Sequence, residues 1–243
     1  MSSAGEGPAR AADAPRASVL ADSTWPDVEP GATTVIVPVG SLEQHGPHLP
    51  LDTDTVVATA VARELPGMLA PPVAYGASGE HEAFPGTVSW GTEALTVVLV
   101  EYGRSVCRWA RRVLWVNGHG GNGPALVAAT TLLRHEGRDV AWFPCAIPGA
   151  DAHAGRTETS LLLHLSPERV RLARAEPGNC TPMTELLPVL RERGVAPVAP
   201  NGVLGDPTGA SADEGRRLLA AVVGRAAAAV EAWDPGPDGR LRY

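Results

Sequence analysis

Seven histidines carry most of the chemical information in this chain: His45, His48, His81, His119, His135, His153 and His164. Five lie in glycine- or proline-rich stretches, and only His135 and His164 fall inside helical patterns. Glu43 and His45 stand two apart in GSLEQHGPHLPLDTD. Side chains two apart in extended backbone project to the same side, so this pair can serve one site. Asp54 opens the helical pattern that follows, and the Gly46-Pro47 turn lets it fold back. In VNGHGGNG four glycines surround His119, which suits close backbone approach to a ligand or metal. A third stretch, DAHAGRTETS, sets His153 and Glu158 on either side of small residues. Carboxylate oxygens and imidazole nitrogens are the donors that borderline divalent cations accept. Each stretch alone has a plainer reading: a capped polar loop around Glu43, or an acid at a helix start for Glu158. His48 reads equally as site support or as a loop residue. His81 is expected near a pocket, and His135 and His164 at the surface or core edge.

The elements around these stretches decide between the readings. Apolar runs at residues 34–37, 71–74, 113–116 and 140–143 read as short buried strands. Helical patterns span residues 52–65, 92–109, 124–136, 159–165 and 210–233, with proline near the start and glycine past the end of the third. Residues 175–210, rich in proline and glycine, read as a surface excursion. Strand and helix in alternation predict an α/β fold, a mainly parallel sheet covered by helices on both faces. All three histidine stretches then follow strands, at the carboxyl edge where such sheets place their sites. Three loops converging with imidazoles and carboxylates, and no thiolates, predict a hydrolytic dinuclear centre.

Composition removes the alternatives. The 20 basic side chains are all arginine. Without lysine there is no Schiff-base chemistry and no phosphate-loop lysine. A dinucleotide fingerprint fails for want of a ribose-binding acid at a strand end. The net charge of -7 argues against nucleic acid as a partner. Three cysteines, Cys107, Cys145 and Cys180, form no C-x-x-C pair, so a reducing, cytoplasmic setting is expected. No apolar run is long enough to span a membrane, and the N-terminus lacks a signal-peptide core. Residues 1–17 are expected to be a disordered tail, and residues 18–243 a single domain.

The strings GSLEQHGPHLPLDTD, SGEHEAFPGTVS, NGHGGN and HAGRTETSLLLHLSP resemble the creatininase family of metal-dependent amidohydrolases, over residues 24–233. The resemblance implies a three-layer αβα sandwich and two divalent metal ions per subunit, iron and/or zinc, with manganese possible. It also implies a homo-oligomer, often a hexamer. Matched position by position, Glu43, His45, Asp54 and His119 fall on metal ligands, with Asp54 as the bridge, and His153 falls on the catalytic histidine. Creatinine-hydrolysing members carry a glutamate where this chain has Gly121, and Glu158 is expected to supply the missing carboxylate. They also carry tryptophans where this chain has residues 148–150, Pro-Gly-Ala, which argues against creatinine as substrate. Ser78, His81 and Gly120 are expected to line the substrate pocket. The strings YGASGEHEAFPGTVS, VEYGRS, LLRHEGRD and GVLGDPTGA, with the HAGRTETS loop, most resemble the branch that trims the modified mycofactocin precursor peptide. That implies release of a C-terminal Val-Tyr dipeptide. The competing expectations are an amidohydrolase acting on a cyclic amide or a formamide, and a non-catalytic metal-binding scaffold.

Overall fold

The computed structural model describes residues 18–242; the expected tail at 1–17 lies outside the described residues. Five strands form one sheet: β1 (Ser18–Val19), β2 (Thr34–Val39), β3 (Met68–Leu69), β4 (Arg112–Asn117) and β5 (Val140–Pro144). Their spatial order is β1-β3-β2-β4-β5, and every pairing is parallel. Six α-helices accompany them among the described residues: α1 (Thr53–Arg63), α2 (Gly91–Val106), α3 (Gly123–His135), α4 (Arg156–Leu165), α5 (Met183–Arg193) and α6 (Ala212–Ala232).

Strand alternation divides the core in two. Val35, Val37, Val113, Trp115, Val140 and Trp142 pack with α2 and α3 residues on one face. Ile36, Leu114, Val116, Ala141 and Phe143 pack with α1, α4 and α6 residues on the other. A sheet buried on both faces needs apolar residues at every position, which is why its strands read as unbroken apolar runs. The helices show the matching stripe: Leu95 and Leu99 in α2, then Leu126, Ala129 and Leu133 in α3, are buried at spacings of three or four. The result is the expected three-layer αβα architecture.

Some expected boundaries move. The strand expected at 71–74 lies at Met68–Leu69, and Val73 makes a single bridge to Val39. Pro71 and Pro72 have no N–H and cannot continue a ladder. The segment 175–210 contains α5, with Pro188 inside it. Leu186 and Leu190 of α5 pack on Val195, Ala199 and Leu204, a small core of their own.

The chain leaves β2 through α1 to β3 on one side, then reaches β4 through α2 on the other. The order of strand addition therefore switches side between β2 and β4, where open α/β sheets form a crevice at the strand ends. Two glycines close this crevice onto α1. A Cβ on Gly40 would lie 2.5 Å from the Thr55 Cα, and one on Gly118 would lie 2.3 Å from the Asp54 carbonyl oxygen. Without those side chains, the ends of β2 and β4 reach the first turn of α1, which carries Asp54.

Candidate metal centre

The loop after β2 delivers Glu43 and His45, the first turn of α1 Asp54, the loop after β4 His119, and the β5–α4 connection His153 and Glu158. Glu43, His45, Asp54, His119 and His153 are buried, and the Glu158 side chain is 24% exposed. Asp54 divides its two oxygens. Oδ1 lies 3.2 Å from His45 Nε2, while Oδ2 lies 3.3 Å from His119 Nδ1 and accepts a 2.7 Å hydrogen bond from Ser41 Oγ. Glu43 Oε1 lies 3.3 Å from His119 Nδ1, 3.4 Å from His81 Nε2 and 3.8 Å from His153 Nδ1. Glu158 Oε2 accepts the Ala154 N–H at 2.6 Å and lies 3.9 Å from His45 Nε2. Ala154 holds the left-handed conformation, φ 52°, which is uncommon for a residue with a side chain. Three groups of side chains bring their ligand atoms within 4.8 Å of one another: Glu43–Asp54–His119, His45–His153–Glu158 and Glu43–His81–His153.

Backbone carbonyls fix which imidazole nitrogens carry hydrogen. His45 Nδ1 lies 3.2 Å from the Glu43 carbonyl, His119 Nε2 3.1 Å from that of Ala77, and His153 Nε2 2.8 Å from that of Gln44. A carbonyl only accepts, so these three nitrogens are the donors. Their lone pairs are left on His45 Nε2, His119 Nδ1 and His153 Nδ1, the atoms that face the carboxylates. A remote N–H tied to a carbonyl is the arrangement that orients metal-binding imidazoles.

Glu43 tests whether a cation fits. Its side chain is fully buried, and neither oxygen makes a well-formed hydrogen bond among the described residues; the groups nearest Oε1 are the imidazole nitrogens of His119, His81 and His153. An unpartnered buried carboxylate is costly unless a cation neutralises it. The facing nitrogen lone pairs and carboxylate oxygens, four of them from Glu43 and Asp54, form a donor set suited to divalent metal. The residues present fit the group.

Protons hold the same charges together when no cation does. Burial alone would lower His45, but the Asp54 carboxylate, helped by Glu158 and Glu43, holds it up at about 10. His119 is likewise held well above its ordinary value, against burial, by Glu43 and Asp54. Burial opposes ionisation of Glu43 and Asp54, and the charges on His119 and His45 respectively outweigh it, keeping both carboxyls low. Burial pushes Glu158 up to about 7 and His153 well down, the latter reinforced by repulsion from His45. Both effects favour the neutral form of His153, whose Nδ1 faces the cluster.

The residues expected to meet substrate separate. Gly120 lines a cavity of about 280 Å³, shared with Asp54, His119, Cys145 and Glu158. Ser78 and His81 are buried beside the histidines instead: Ser78 Oγ is 3.4 Å from His119 Nε2, and His81 faces Glu43. Three supporting residues were invisible in the sequence. Ser41 Oγ donates to Asp54 Oδ2 and holds that carboxylate in place. Asn122 accepts from the Ala77 N–H at 2.9 Å and donates to the Gly40 carbonyl at 2.9 Å, tying three loops together. Glu80 reaches toward the space left by Gly121: a Cβ there would lie 3.0 Å from Glu80 Oε1 and 2.3 Å from His119 Nε2. Serine, asparagine and glutamate in loops carry no distinguishing local signal; only the fold reveals these partners. His48 donates or accepts with Thr159 Oγ1 at 2.8 Å, which packs the first loop onto α4.

A parallel sheet covered on both faces, with carboxylates and imidazoles gathered where its strand order switches, is the arrangement of a metal-dependent hydrolase built on a layered αβα fold. A sequence model of the family described as "Creatininase: Creatinine amidohydrolase" matches residues 21–230. The chain belongs to the creatininase family. It is 56% identical over 232 residues to the mycofactocin precursor peptide peptidase of Mycobacterium ulcerans, covering 90% of each chain. Among solved structures it is similar to a manganese creatininase, with 26% identity and a TM-score of 0.69, covering 90% of this chain and all of that one. A mutant creatininase of zinc–zinc type matches equally, at 26% identity and TM-score 0.69, over 90% of this chain and 99% of that one.

Proposed function

We propose that this chain is a metal-dependent peptidase that releases the C-terminal Val-Tyr dipeptide from the modified mycofactocin precursor peptide. The observation that carries the hydrolytic reading is Glu43, a fully buried carboxylate that makes no well-formed hydrogen bond and faces the imidazole nitrogens of His119, His81 and His153. The peptide substrate rests on the likeness to a relative of that name at 56% identity. A glycine-containing loop at residues 148–150, where creatinine-hydrolysing members carry tryptophans, favours it over a small cyclic amide.

Glu43, Asp54 and His119 would hold one divalent cation, and His45, Glu158 and Asp54 a second, iron or zinc, with manganese an equal fit to such donors. When bound, such cations polarise the scissile carbonyl and lower the pKa of coordinated water toward neutrality. His153 presents its unprotonated Nδ1 to the cluster while its Nε2–H is anchored on the Gln44 carbonyl. It takes a proton from the attacking water and delivers it to the leaving amide nitrogen. Gly120 and the loop around Ala150 border the cavity that admits the peptide end. We further propose assembly as a homo-oligomer, the hexamer of family members, which would cover exposed Trp90, Tyr75 and Val97.

The test is a peptide-cleavage assay with metal analysis. His119→Ala loses metal and dipeptide release together. His153→Ala keeps its metal and loses turnover by ~10²-fold or more, the usual general acid–base contribution. Full turnover by His153→Ala would remove it from the reaction. Metal retained with no cleavage of the peptide, a cyclic amide or a formamide would favour a binding scaffold.

A further inference from the structure

The third ligand group, Glu43–His81–His153, has the right atoms within reach of one another, yet the hydrogen-bond network around Gln44 argues against a cation there. The Gln44 side chain is buried, and its Oε1 accepts the Gly46 N–H at 2.8 Å. Its Nε2 lies 3.0 Å from the Gly202 carbonyl, 2.8 Å from His81 Nδ1 and 3.1 Å from His153 Nε2. Turning the amide over would set donor against donor at Gly46 and acceptor against acceptor at Gly202. The amide orientation is therefore fixed from two sides. Nε2 has two hydrogens. One goes to the Gly202 carbonyl. The other cannot go to His153 Nε2, which already carries the hydrogen it gives to the Gln44 carbonyl. It goes to His81 Nδ1.

His81 is thus set apart from the other cluster histidines. They give their remote N–H to a backbone carbonyl and turn a lone pair toward the carboxylates. His81 accepts from a side-chain amide, so its hydrogen sits on Nε2, the nitrogen 3.4 Å from Glu43 Oε1. We propose that Gln44 acts as a tautomer lock, holding His81 as a positioning residue that turns an N–H toward Glu43 and cannot bind metal. Of the three ligand groups, Glu43–His81–His153 is then the one that cannot hold a cation. An N–H beside Glu43 Oε1 also biases which lone pairs that carboxylate offers. This inference rests on the metal-centre reading above, but it makes its own prediction about one imidazole.

The test uses the full chain labelled with 15N-histidine, metal-free and loaded with zinc. Long-range 1H–15N correlation spectra report which nitrogen of each ring carries hydrogen, and His81→Gln assigns the His81 signals. The expected result is hydrogen on His81 Nε2 in both states, with two zinc equivalents bound. Gln44→Glu puts an acceptor opposite His81 Nδ1. The hydrogen should then appear on Nδ1, and zinc affinity should fall ~10–100-fold, the usual cost of losing an outer partner. Gly202→Ala provides an independent perturbation, since its Cβ would lie 1.9 Å from Gln44 Oε1 and must displace the amide. His81→Gln keeps an N–H near Glu43 and should retain two equivalents with tighter zinc binding than His81→Leu. A zinc-bound or hydrogen-free His81 Nε2 in the unaltered protein would overturn the proposal. So would a third zinc equivalent that His81→Gln removes. Should the tautomer and two equivalents hold while no peptide is cleaved, the tautomer lock stands and the peptidase reading fails.

Discussion

Replacing Gly118 with alanine tests whether the crevice, and not merely the ligand list, makes the site. The added Cβ would lie 2.3 Å from the Asp54 carbonyl oxygen, 3.0 Å from its carbonyl carbon and 3.3 Å from Ala58 Cβ. Ordinary contact begins at 3.4 Å, so about 1 Å of overlap must be relieved. The obstacle is helix backbone and cannot rotate away. Either the loop after β4 or the first turn of α1 has to retreat. Overpacking of this kind costs ~1–3 kcal/mol. For a domain of this size that lowers Tm by roughly 2–12 °C, at ~2–4 °C per kcal/mol. The effect on the site is larger than the effect on the fold. Metal–ligand distances tolerate only ~0.2 Å, and Asp54 and His119 sit on the two segments being pushed apart. Gly118→Ala is therefore expected to stay folded and to lose zinc. Gly123→Ala, five residues on, is the control, because a Cβ there meets nothing within 4 Å. It starts α3, where alanine outranks glycine by up to ~1 kcal/mol, so its Tm should hold or rise with metal intact. The measurements are zinc equivalents after dialysis and thermal unfolding with and without metal. A Gly118→Ala protein holding the same zinc as the Gly123→Ala protein would refute the argument that close approach of β4 to α1 builds the centre.

Ser41→Ala removes the 2.7 Å hydrogen bond to Asp54 Oδ2 and should lower stability by ~1.5–3 kcal/mol, read from denaturant midpoints. Cys145 is buried, which pushes its thiol up to about 12, whereas Cys180 is exposed. Iodoacetamide at pH 8 should label Cys180 and spare Cys145 until the protein unfolds; early labelling of Cys145 by mass spectrometry would contradict its burial. In metal-free protein His45 is held up at about 10. Its contribution to stability is complete below its unfolded value, near 6.5, and is lost as pH rises through about 10. Tm of chelator-treated protein should fall across that window through this group, and zinc, which takes the place of the proton, should flatten the profile.

The candidate ligands are legible in the sequence because their chemistry is rare. Glu43 and His45 two apart, and His119 among glycines, each follow an apolar strand, and Asp54 stands at a helix start. Strand and helix alternation then put their loops on one edge of the sheet. Less legible was everything whose role depends on a partner distant in sequence. Gln44 sits between two recognised residues and looks like filler, yet it touches His81, His153 and Gly202, residues 37 to 158 positions away. The strand at Met68–Leu69 escaped because two residues carry too little periodicity, while Val73 beyond the prolines looked more strand-like. Helix α5 escaped because Pro188 and the surrounding glycines and prolines outweighed Leu186 and Leu190, whose burial against Val195 and Ala199 exists only once the segment folds back.

The same distinction bears on Gly121. By sequence it is an absence, a position where creatinine-hydrolysing relatives carry a carboxylate. In the fold it is a space, bounded by Ala77 O and His119 Nε2, into which Glu80 extends. Glu158 lies on the other side, 3.9 Å from His45. The two acids therefore address different imidazoles. Glu158 shares a ligand group with His45 and His153, whereas Glu80 stands 3.8 Å from the protonated, carbonyl-bound edge of His119. A ligand must face a lone pair's partner cation, not an N–H. On that ground we propose Glu158 as the acid that completes a second cation position, and Glu80 as the one that steadies His119 by its outer edge. Glu158→Gln should then lose one of two zinc equivalents, while Glu80→Gln should keep both and weaken their retention.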